Sequence, residues 1–144
     1  MRPTPVLVSL ALTLAASTAR ADVFADASGT WGLTDYDPLS CQENPHEVSF
    51  SPDHARAFFI WSGPMMNYEG EWDTEGDYTV LETGPDYLVL ALDGESRRTH
   101  DGKPVVWIMR LLDGGQRYCW GRTDWPEQDC IDRYARCPSS APLS

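Results

Sequence analysis

The densest group of side chains that could recognise a ligand lies in residues 118–126, YCWGRTDWP. This segment places Trp120, Arg122 and Trp125 within six positions. A guanidinium group over an indole ring forms a cation–π pair worth roughly 0.5–2 kcal/mol when it is partly desolvated. The segment therefore has two interpretations: its rings close one end of the fold and brace the tail, or they form an aromatic binding surface.

The binding interpretation extends to two earlier tryptophans of the chain. An indole ring combines a large apolar area with one hydrogen-bond donor, so it suits a surface that binds a protein partner or an apolar ligand. On this interpretation the candidate binding residues are Trp61, Trp72, Trp120, Arg122 and Trp125.

Acidic residues alternate with other types in residues 67–77, NYEGEWDTEGD. On a strand this alternation places the carboxylates on one face. Oxygen-rich clusters can hold calcium, but the run does not fit the spacing of an EF-hand loop. We therefore interpret the face as an outward polar surface that resists edge pairing, and we assign no metal ligands.

No spacing in the chain predicts a catalytic site. The histidines His46, His54 and His100 are scattered, and the G-x-S-x-G pattern of hydrolase nucleophiles is absent from the sequence. His46 follows Asn44-Pro45 and is predicted to lie in a loop. Acidic residues are so numerous that a close pair of them is no specific signal for acid–base chemistry. We assign no catalytic residues and no cofactor, and enzymatic turnover is the least favoured class of function.

The four cysteines predict two disulfides if the chain is exported to an oxidising compartment. Four cysteines permit three pairings, and spacing alone does not select one. We favour Cys119–Cys130, which closes a short local loop, and Cys41–Cys137, which ties the C-terminal segment back near the first strand. A zinc site is the weaker interpretation because no C-x-x-C pair occurs.

Residues 1–21 have the features of a signal peptide. Arg2 supplies a basic start, residues 6–16 are apolar, and residues 19–21 (ARA) form a small-x-small cleavage pattern. The apolar run has 11 residues, against roughly 20 needed to span a bilayer, so we predict no membrane anchor after cleavage. Residues 22–144 then form one disulfide-braced domain in the periplasm or secreted to the medium.

The composition excludes several classes of protein. The chain has 22 acidic and 11 basic residues, a formal charge of −11, which is opposite to the basic surface that nucleic-acid binding requires. Aromatic residues make up 11% of the chain, too many for an intrinsically disordered protein. We expect a compact exported domain with no nucleic-acid partner.

From residue 29 to residue 122, apolar and polar residues alternate in short runs with a period near two. Turn residues separate the runs, among them the Asp-Gly pairs at 93–94 and 101–102, which suit type I′ hairpin turns. The runs predict eight or nine short strands, one of them over residues 95–100. A meander of this length hides its edges most simply by closing on itself. The predicted fold is all-β, a small antiparallel meander barrel of about eight strands.

The tail after these strands has two interpretations. Residues 124–127 (DWPE) resemble the capped start of a helix, and Cys130, Tyr134 and Cys137 follow at helical spacing. A short C-terminal helix and an irregular segment tied by disulfides fit this pattern equally well.

Gly29-Thr30-Trp31, at the opening of the first predicted strand, resembles the G-x-W motif that begins the barrel in lipocalins and avidin-like proteins. The size of residues 22–144 and the predicted meander are also similar to that group. The resemblance implies a lipocalin-like barrel architecture and does not specify a ligand. It also implies that the tryptophan closes the barrel floor beneath an arginine from the last strand, a role for which Arg122 is the candidate.

The layout is similar to that of a second group, the small periplasmic inhibitors of secreted metalloproteases. Those inhibitors are also single barrels with a G-x-W-like start, and a short N-terminal trunk ahead of the barrel enters the protease cleft. Residues 22–28 (DVFADAS) would occupy that place here. The inhibitors typically have one disulfide, whereas this chain has cysteines for two.

Together these patterns predict an exported, non-catalytic binding protein with a lipocalin-like barrel and an unknown small apolar ligand. The alternative is a periplasmic inhibitor or accessory partner of another exported protein. A cavity of roughly 300 Å³ or more with an apolar lining would favour the first function. An interior filled by large aromatic side chains would favour the second.

Overall fold

Eight antiparallel strands close into a barrel in the computed structural model, which describes residues 22–139. The elements in chain order are α1 (Val23–Ala27), β1 (Gly29–Leu33), β2 (His46–Phe50), β3 (Arg56–Met66), β4 (Trp72–Thr83), β5 (Tyr87–Leu92), β6 (Trp107–Leu112), β7 (Arg117–Arg122) and β8 (Ile131–Arg136). Each strand pairs with the next, and β1 pairs with β8. The predicted all-β meander barrel is therefore confirmed. The predicted signal peptide, 1–21, and residues 140–144 lie outside the described residues.

The segment after β5 differs from the prediction of a strand over residues 95–100. It forms a loop with a single bridge between Arg98 and Pro104. The carboxylate of Glu95 accepts a hydrogen bond from the backbone N–H of Arg97 at 2.9 Å. That donor is therefore not available to a neighbouring strand, and the loop turns away from the sheet.

The C-terminal segment is a strand, so both interpretations of the tail, a short helix and an irregular segment, are wrong. Residues Ile131–Arg136 form β8, which lies between β7 and β1 and completes the barrel. A helix here would leave the edges of both neighbours unpaired. The helical spacing of Cys130, Tyr134 and Cys137 instead serves three separate contacts, two of them disulfides.

Both favoured disulfides are confirmed. Cys41–Cys137 joins residues 96 positions apart with a Cα–Cα distance of 5.4 Å, and Cys119–Cys130 spans 11 positions with a distance of 5.6 Å. Cys41 packs directly on Gly32, where an added Cβ would come within 2.6 Å of the Cys41 sulfur. Two disulfides indicate an oxidising, extracellular or periplasmic environment. Among residues 22–139, no helix has the length and apolarity needed to cross a membrane.

One end of the barrel is closed by α1. Val23 and Ala27 of this short helix belong to the buried core, and the indole Nε1 of Trp31 donates a hydrogen bond to the carbonyl of Ala27 at 3.1 Å. The ring of Phe24 lies edge-on to that of Phe50, with centroids 5.0 Å apart. Residues 22–28 are therefore packed against the barrel and do not project from it as a trunk.

Arg136 links α1 to the barrel wall. Its guanidinium lies 4.4 Å from the centre of the Trp31 ring. It also donates hydrogen bonds to the carbonyls of Gly115 at 2.7 Å, of Ser28 at 2.8 Å and of Asp26. Hydrogen bonds from a charged donor are among the stronger ones in proteins. The arginine that stacks on Trp31 thus comes from the last strand.

This finding corrects the role given to Arg122. Arg122 is on β7, whereas β8 is the last strand and supplies Arg136. The Gly29 of the G-x-W motif has a φ of +125°, and a Cβ at this position would lie 2.8 Å from Nη1 of Arg136. Gly29 is therefore required both for its backbone conformation and for the close approach of the guanidinium.

Candidate ligand-binding site

The opposite end of the barrel opens into a cavity of about 560 Å³. Its walls come from the ends of β3, β5 and β7 and from the beginnings of β4, β6 and β8. In an antiparallel meander these termini all meet at one end of the barrel, which is the end away from α1. The volume lies within the range of about 300–1,000 Å³ that is usual for small-molecule sites.

Aromatic and acidic side chains make up most of the cavity lining, and Met65, Met66 and Leu92 add apolar surface. The eight aromatic residues that line the cavity are Phe59, Trp61, Tyr68, Tyr78, Trp107, Tyr118, Trp120 and Tyr134. The seven acidic ones are Glu69, Glu71, Asp73, Glu75, Asp77, Asp93 and Asp132.

A glycine makes room for the cavity in the wall of β4. Gly76 lies opposite Phe59, which faces inward and is almost fully buried. A Cβ at Gly76 would be 3.5 Å from the Tyr78 ring and 3.8 Å from Leu92, at ordinary contact distance. Because strand neighbours share a face, a larger side chain at Gly76 would enter the interior.

The rings support one another by edge and face contacts. Tyr118 and Tyr134 are stacked with centroids 4.6 Å apart, and Trp120 lies 5.8 Å from Tyr118 and 5.9 Å from Tyr78. Trp107 lies edge-on to Trp120 at 6.1 Å. Such pairs add about 0.5–1.5 kcal/mol beyond their buried area. The aromatic lining is therefore a pre-formed surface.

A buried histidine lies beside the cavity lining. His46, predicted to be in a loop, is the first residue of β2 and is almost fully buried. Its Nε2 is 2.6 Å from the hydroxyl of Tyr118, and its ring lies within 5.2 Å of the Trp61 ring. Burial lowers the pKa of His46 from 6.5 to about 3, so the imidazole is neutral near pH 7.

The tyrosines of the cavity also stay neutral. Burial raises the pKa of Tyr78, of Tyr118 and of Tyr134 well above the ordinary phenol value. A neutral phenol can donate or accept a hydrogen bond. These tyrosines therefore contribute neutral hydroxyl groups to the aromatic part of the lining.

Arg97 lies at the mouth of the cavity between two rings. Its guanidinium is 4.8 Å from the centre of the Tyr68 ring and 4.5 Å from that of Trp107. The Glu95 carboxylate accepts hydrogen bonds from Nε and Nη2 of Arg97 at 2.6 and 3.0 Å, and from Trp107 Nε1 at 2.7 Å. Burial opposes ionisation of Glu95, but these hydrogen bonds lower its pKa overall. The Arg97–Glu95 ion pair therefore has no net charge.

Asp132 is one of the seven carboxylates that line the cavity, and it is exposed to solvent. It lines the cavity and lies close enough for its charge to raise the pKa of Tyr118 and of Tyr134. Burial raises the pKa of Asp132 itself. Within the described part of the chain, no side chain donates a hydrogen bond to Asp132. Its φ is +54°, at the place where the pairing of β7 and β8 shifts register.

The acidic run of residues 67–77 is divided between the β3–β4 turn and β4. Glu75 pairs with Ile60, which is exposed, and Asp77 pairs with Phe58, yet both residues also border the cavity. Glu69 accepts a hydrogen bond from Ser96 across the mouth. The interpretation of a wholly outward polar face is therefore wrong, because these acidic residues form the rim of the cavity. Among the residues that the structure describes, no group of three or more histidine, cysteine or acidic side chains could hold a metal ion.

The structure brings two of the five candidate binding residues into the cavity. Trp61 and Trp120 line it. Arg122 and Trp125 stack on each other at 4.9 Å beside Trp107, outside the lining. Trp72 is 67% exposed at the start of β4.

Sequence reasoning missed most of the remaining lining. Tyr78, Tyr134 and Asp132 come together from β4 and β8, which are not adjacent in the barrel. Alternation identified Tyr78 as a strand residue. Tyr134 could have been predicted to face the barrel interior only if residues 131–136 had been assigned to a strand.

No known family model matches this sequence, and comparisons with curated proteins and with solved structures also give no match. The geometry of the site therefore carries the functional argument. The eight-stranded antiparallel barrel is consistent with a lipocalin-like fold.

Proposed function

We propose that this protein binds a small, largely apolar ligand inside its barrel and acts by binding rather than by turnover. The observation that carries the proposal is the open cavity of about 560 Å³ with eight aromatic residues in its lining. Cavities of this size at the mouth of a β-barrel are typical of small-molecule sites, and the aromatic rings supply the apolar contact area.

The proposal includes the assignment to a lipocalin-like class of exported binding proteins. Two features support it: the meander closes in sequence order with β8 beside β1, and Arg136 from the last strand stacks on Trp31 of the G-x-W motif. The two disulfides support an exported protein.

The division of the interior also supports a ligand. Trp31 is fully buried at the closed end, where it contributes to the core. Phe59 and Trp107, further along the barrel, have surfaces that border the cavity. Large aromatic residues therefore fill one half of the interior and leave the other half open.

The test is titration of the purified, oxidised protein with N-phenyl-1-naphthylamine, a neutral aromatic probe whose fluorescence rises in apolar surroundings. We expect saturable one-to-one binding by the wild type. Gly76→Leu should remove it, because the leucine side chain would occupy the space beside Tyr78 and Leu92.

The matched control is Glu47→Leu, which adds the same side chain at an exposed position of β2, outside the cavity lining. It should bind the probe as the wild type does. Thermal melting of both variants shows whether each is folded. Equal binding by wild type and a folded Gly76→Leu variant would contradict the proposal.

A second candidate function, recognition of another exported protein, is favoured by one observation. The tip of the β3–β4 hairpin exposes three large side chains, with Met66 56%, Tyr68 71% and Trp72 67% exposed. Exposed apolar groups of this size are typical of contact surfaces. If this function is correct, Trp72→Ser should abolish capture of a partner from the native compartment and leave probe binding unchanged.

A further inference from the structure

The charges around the cavity indicate which class of ligand it accepts. The positive charge of Arg97, at the cavity wall, is balanced by the Glu95 carboxylate, which accepts two hydrogen bonds from the guanidinium group. Seven carboxylates line the same cavity, and among the described residues Asp93 is the one of them in an ion pair, with Arg56. Asp132 is one of the six without a cationic partner. The uncompensated charge of the lining is therefore negative.

A neutral apolar ligand would leave this charge in place. Covering a carboxylate with apolar surface and no partner is costly, because the ion loses water and gains nothing in return. An anionic ligand would add repulsion. Only a ligand that carries a positive charge would pair with Asp132 when it fills the cavity.

The aromatic lining favours the same charge. The face of an aromatic ring attracts a cation, and boxes of such rings are a known way to bind organic ammonium groups. Tyr134, Tyr118 and Trp120 form such a wall close to Asp132, with centroid separations of 4.6 and 5.8 Å from Tyr118.

The molecule contains an internal example of this chemistry at the same mouth. The Arg97 guanidinium lies between the rings of Tyr68 and Trp107, at 4.8 and 4.5 Å. Two rings at the mouth therefore already stack on an organic cation, the guanidinium group of Arg97.

A metal ion does not fit this position. Hard cations need several oxygen ligands at once, and Asp132 belongs to no cluster of three or more potential ligands among residues 22–139. The surrounding aromatic surface suits a cation that is bulky and weakly hydrated.

We propose that the ligand is a small organic cation, an amine or quaternary ammonium group on an apolar body, with its charge beside Asp132 and its body against the aromatic lining. This inference rests on the proposed function, since it names the class of ligand for the same cavity.

The test compares two ligands of nearly equal shape, the phenethylammonium ion and 2-phenylethanol, as competitors for bound N-phenyl-1-naphthylamine. In the wild type we expect the ammonium ion to displace the probe at a concentration at least tenfold lower than the alcohol. In Asp132→Asn that preference should fall at least threefold, because the amide keeps the size of the side chain and removes the charge beside Tyr118 and Tyr134, while the other carboxylates of the lining remain.

The control variant is Glu47→Gln, which removes one exposed carboxylate from β2, outside the cavity lining, and should keep the full preference. Equal displacement by both ligands, stronger displacement by the alcohol, or displacement by neither would overturn the cation inference and leave the proposed function standing, because the probe itself still binds. A preference that persists unchanged in Asp132→Asn would also overturn it. Failure of the probe to bind the wild type would overturn both.

Discussion

The two ends of the barrel are built from the same eight strands, but the interior is filled with side chains at one end and left open at the other. At the closed end, Trp31, Arg136 and α1 fill the space and make hydrogen bonds to one another. At the open end the aromatic rings border a cavity, and Asp132 has no partner in the described chain. Stability is therefore concentrated at one end, and the capacity to bind is left at the other.

Among the substitutions that test this comparison, we expect the largest loss of stability at Trp31. Trp31→Ala should lower the free energy of unfolding by about 3–5 kcal/mol, because it removes a fully buried ring and leaves a hole beneath Arg136. Trp61→Ala, at the open end, should cost only about 1–2 kcal/mol and should weaken probe binding. Urea denaturation followed by circular dichroism measures both. Equal losses at the two positions would contradict the division.

The second prediction concerns His46, beside the cavity lining. The folded pKa is about 3 and the ordinary value is 6.5, so below pH 6.5 the unfolded chain takes up a proton that the folded chain does not. Stability should therefore fall by about 2 kcal/mol between pH 7 and pH 5. Carboxylates with a lowered pKa, such as Glu95, reduce stability only at lower pH, near 4.5 and below.

The control for this prediction is His46→Gln, which can accept a hydrogen bond from Tyr118 but does not titrate. The variant will differ from the wild type in absolute stability, but the readout is the slope of stability against pH from 7 to 5. We expect a shallower slope in the variant. Identical slopes would show that His46 is not held neutral by burial.

A smaller effect is expected from the two stacked arginines. Arg136→Lys should cost about 1–2 kcal/mol, because an ammonium group cannot stack on Trp31 and reach three carbonyls at once. Arg97→Lys, at the mouth, should cost about 0.5 kcal/mol, as is usual for a partly exposed pair. The midpoints of guanidinium denaturation of the two variants, each set against the wild type, measure the two losses of stability. A larger loss of stability in Arg97→Lys than in Arg136→Lys would contradict the assignment of the closed end as the more stable one.

The sequence predicted the fold through local patterns. Alternation between residues 29 and 122, together with Asp-Gly turns, was enough for an antiparallel meander, because strand period and turn chemistry are local properties. The predicted export and the four cysteines also predicted two disulfides, although spacing alone did not select among the three pairings. What could not be predicted was β8, whose residues have helical spacing but are held extended by pairing with both β1 and β7.

The site was less predictable for the same reason. Arg122 and Trp125 are close in sequence to Trp120 but point outside the cavity, whereas Asp132 and Tyr78 reach it from distant strands. Barrel closure and register decide which side chains meet. His46 was assigned to a loop because its neighbour Pro45 marks a turn, yet the strand begins at His46 itself.

The central claim, that ligands enter only the end opposite α1, can be tested directly by NMR of the tryptophan indole N–H groups during titration with N-phenyl-1-naphthylamine. The account predicts shifts for Trp61, Trp107 and Trp120, which line the cavity, and none for Trp31 or Trp72. Shifts confined to Trp31 or Trp72, with the three cavity resonances unchanged, would contradict it.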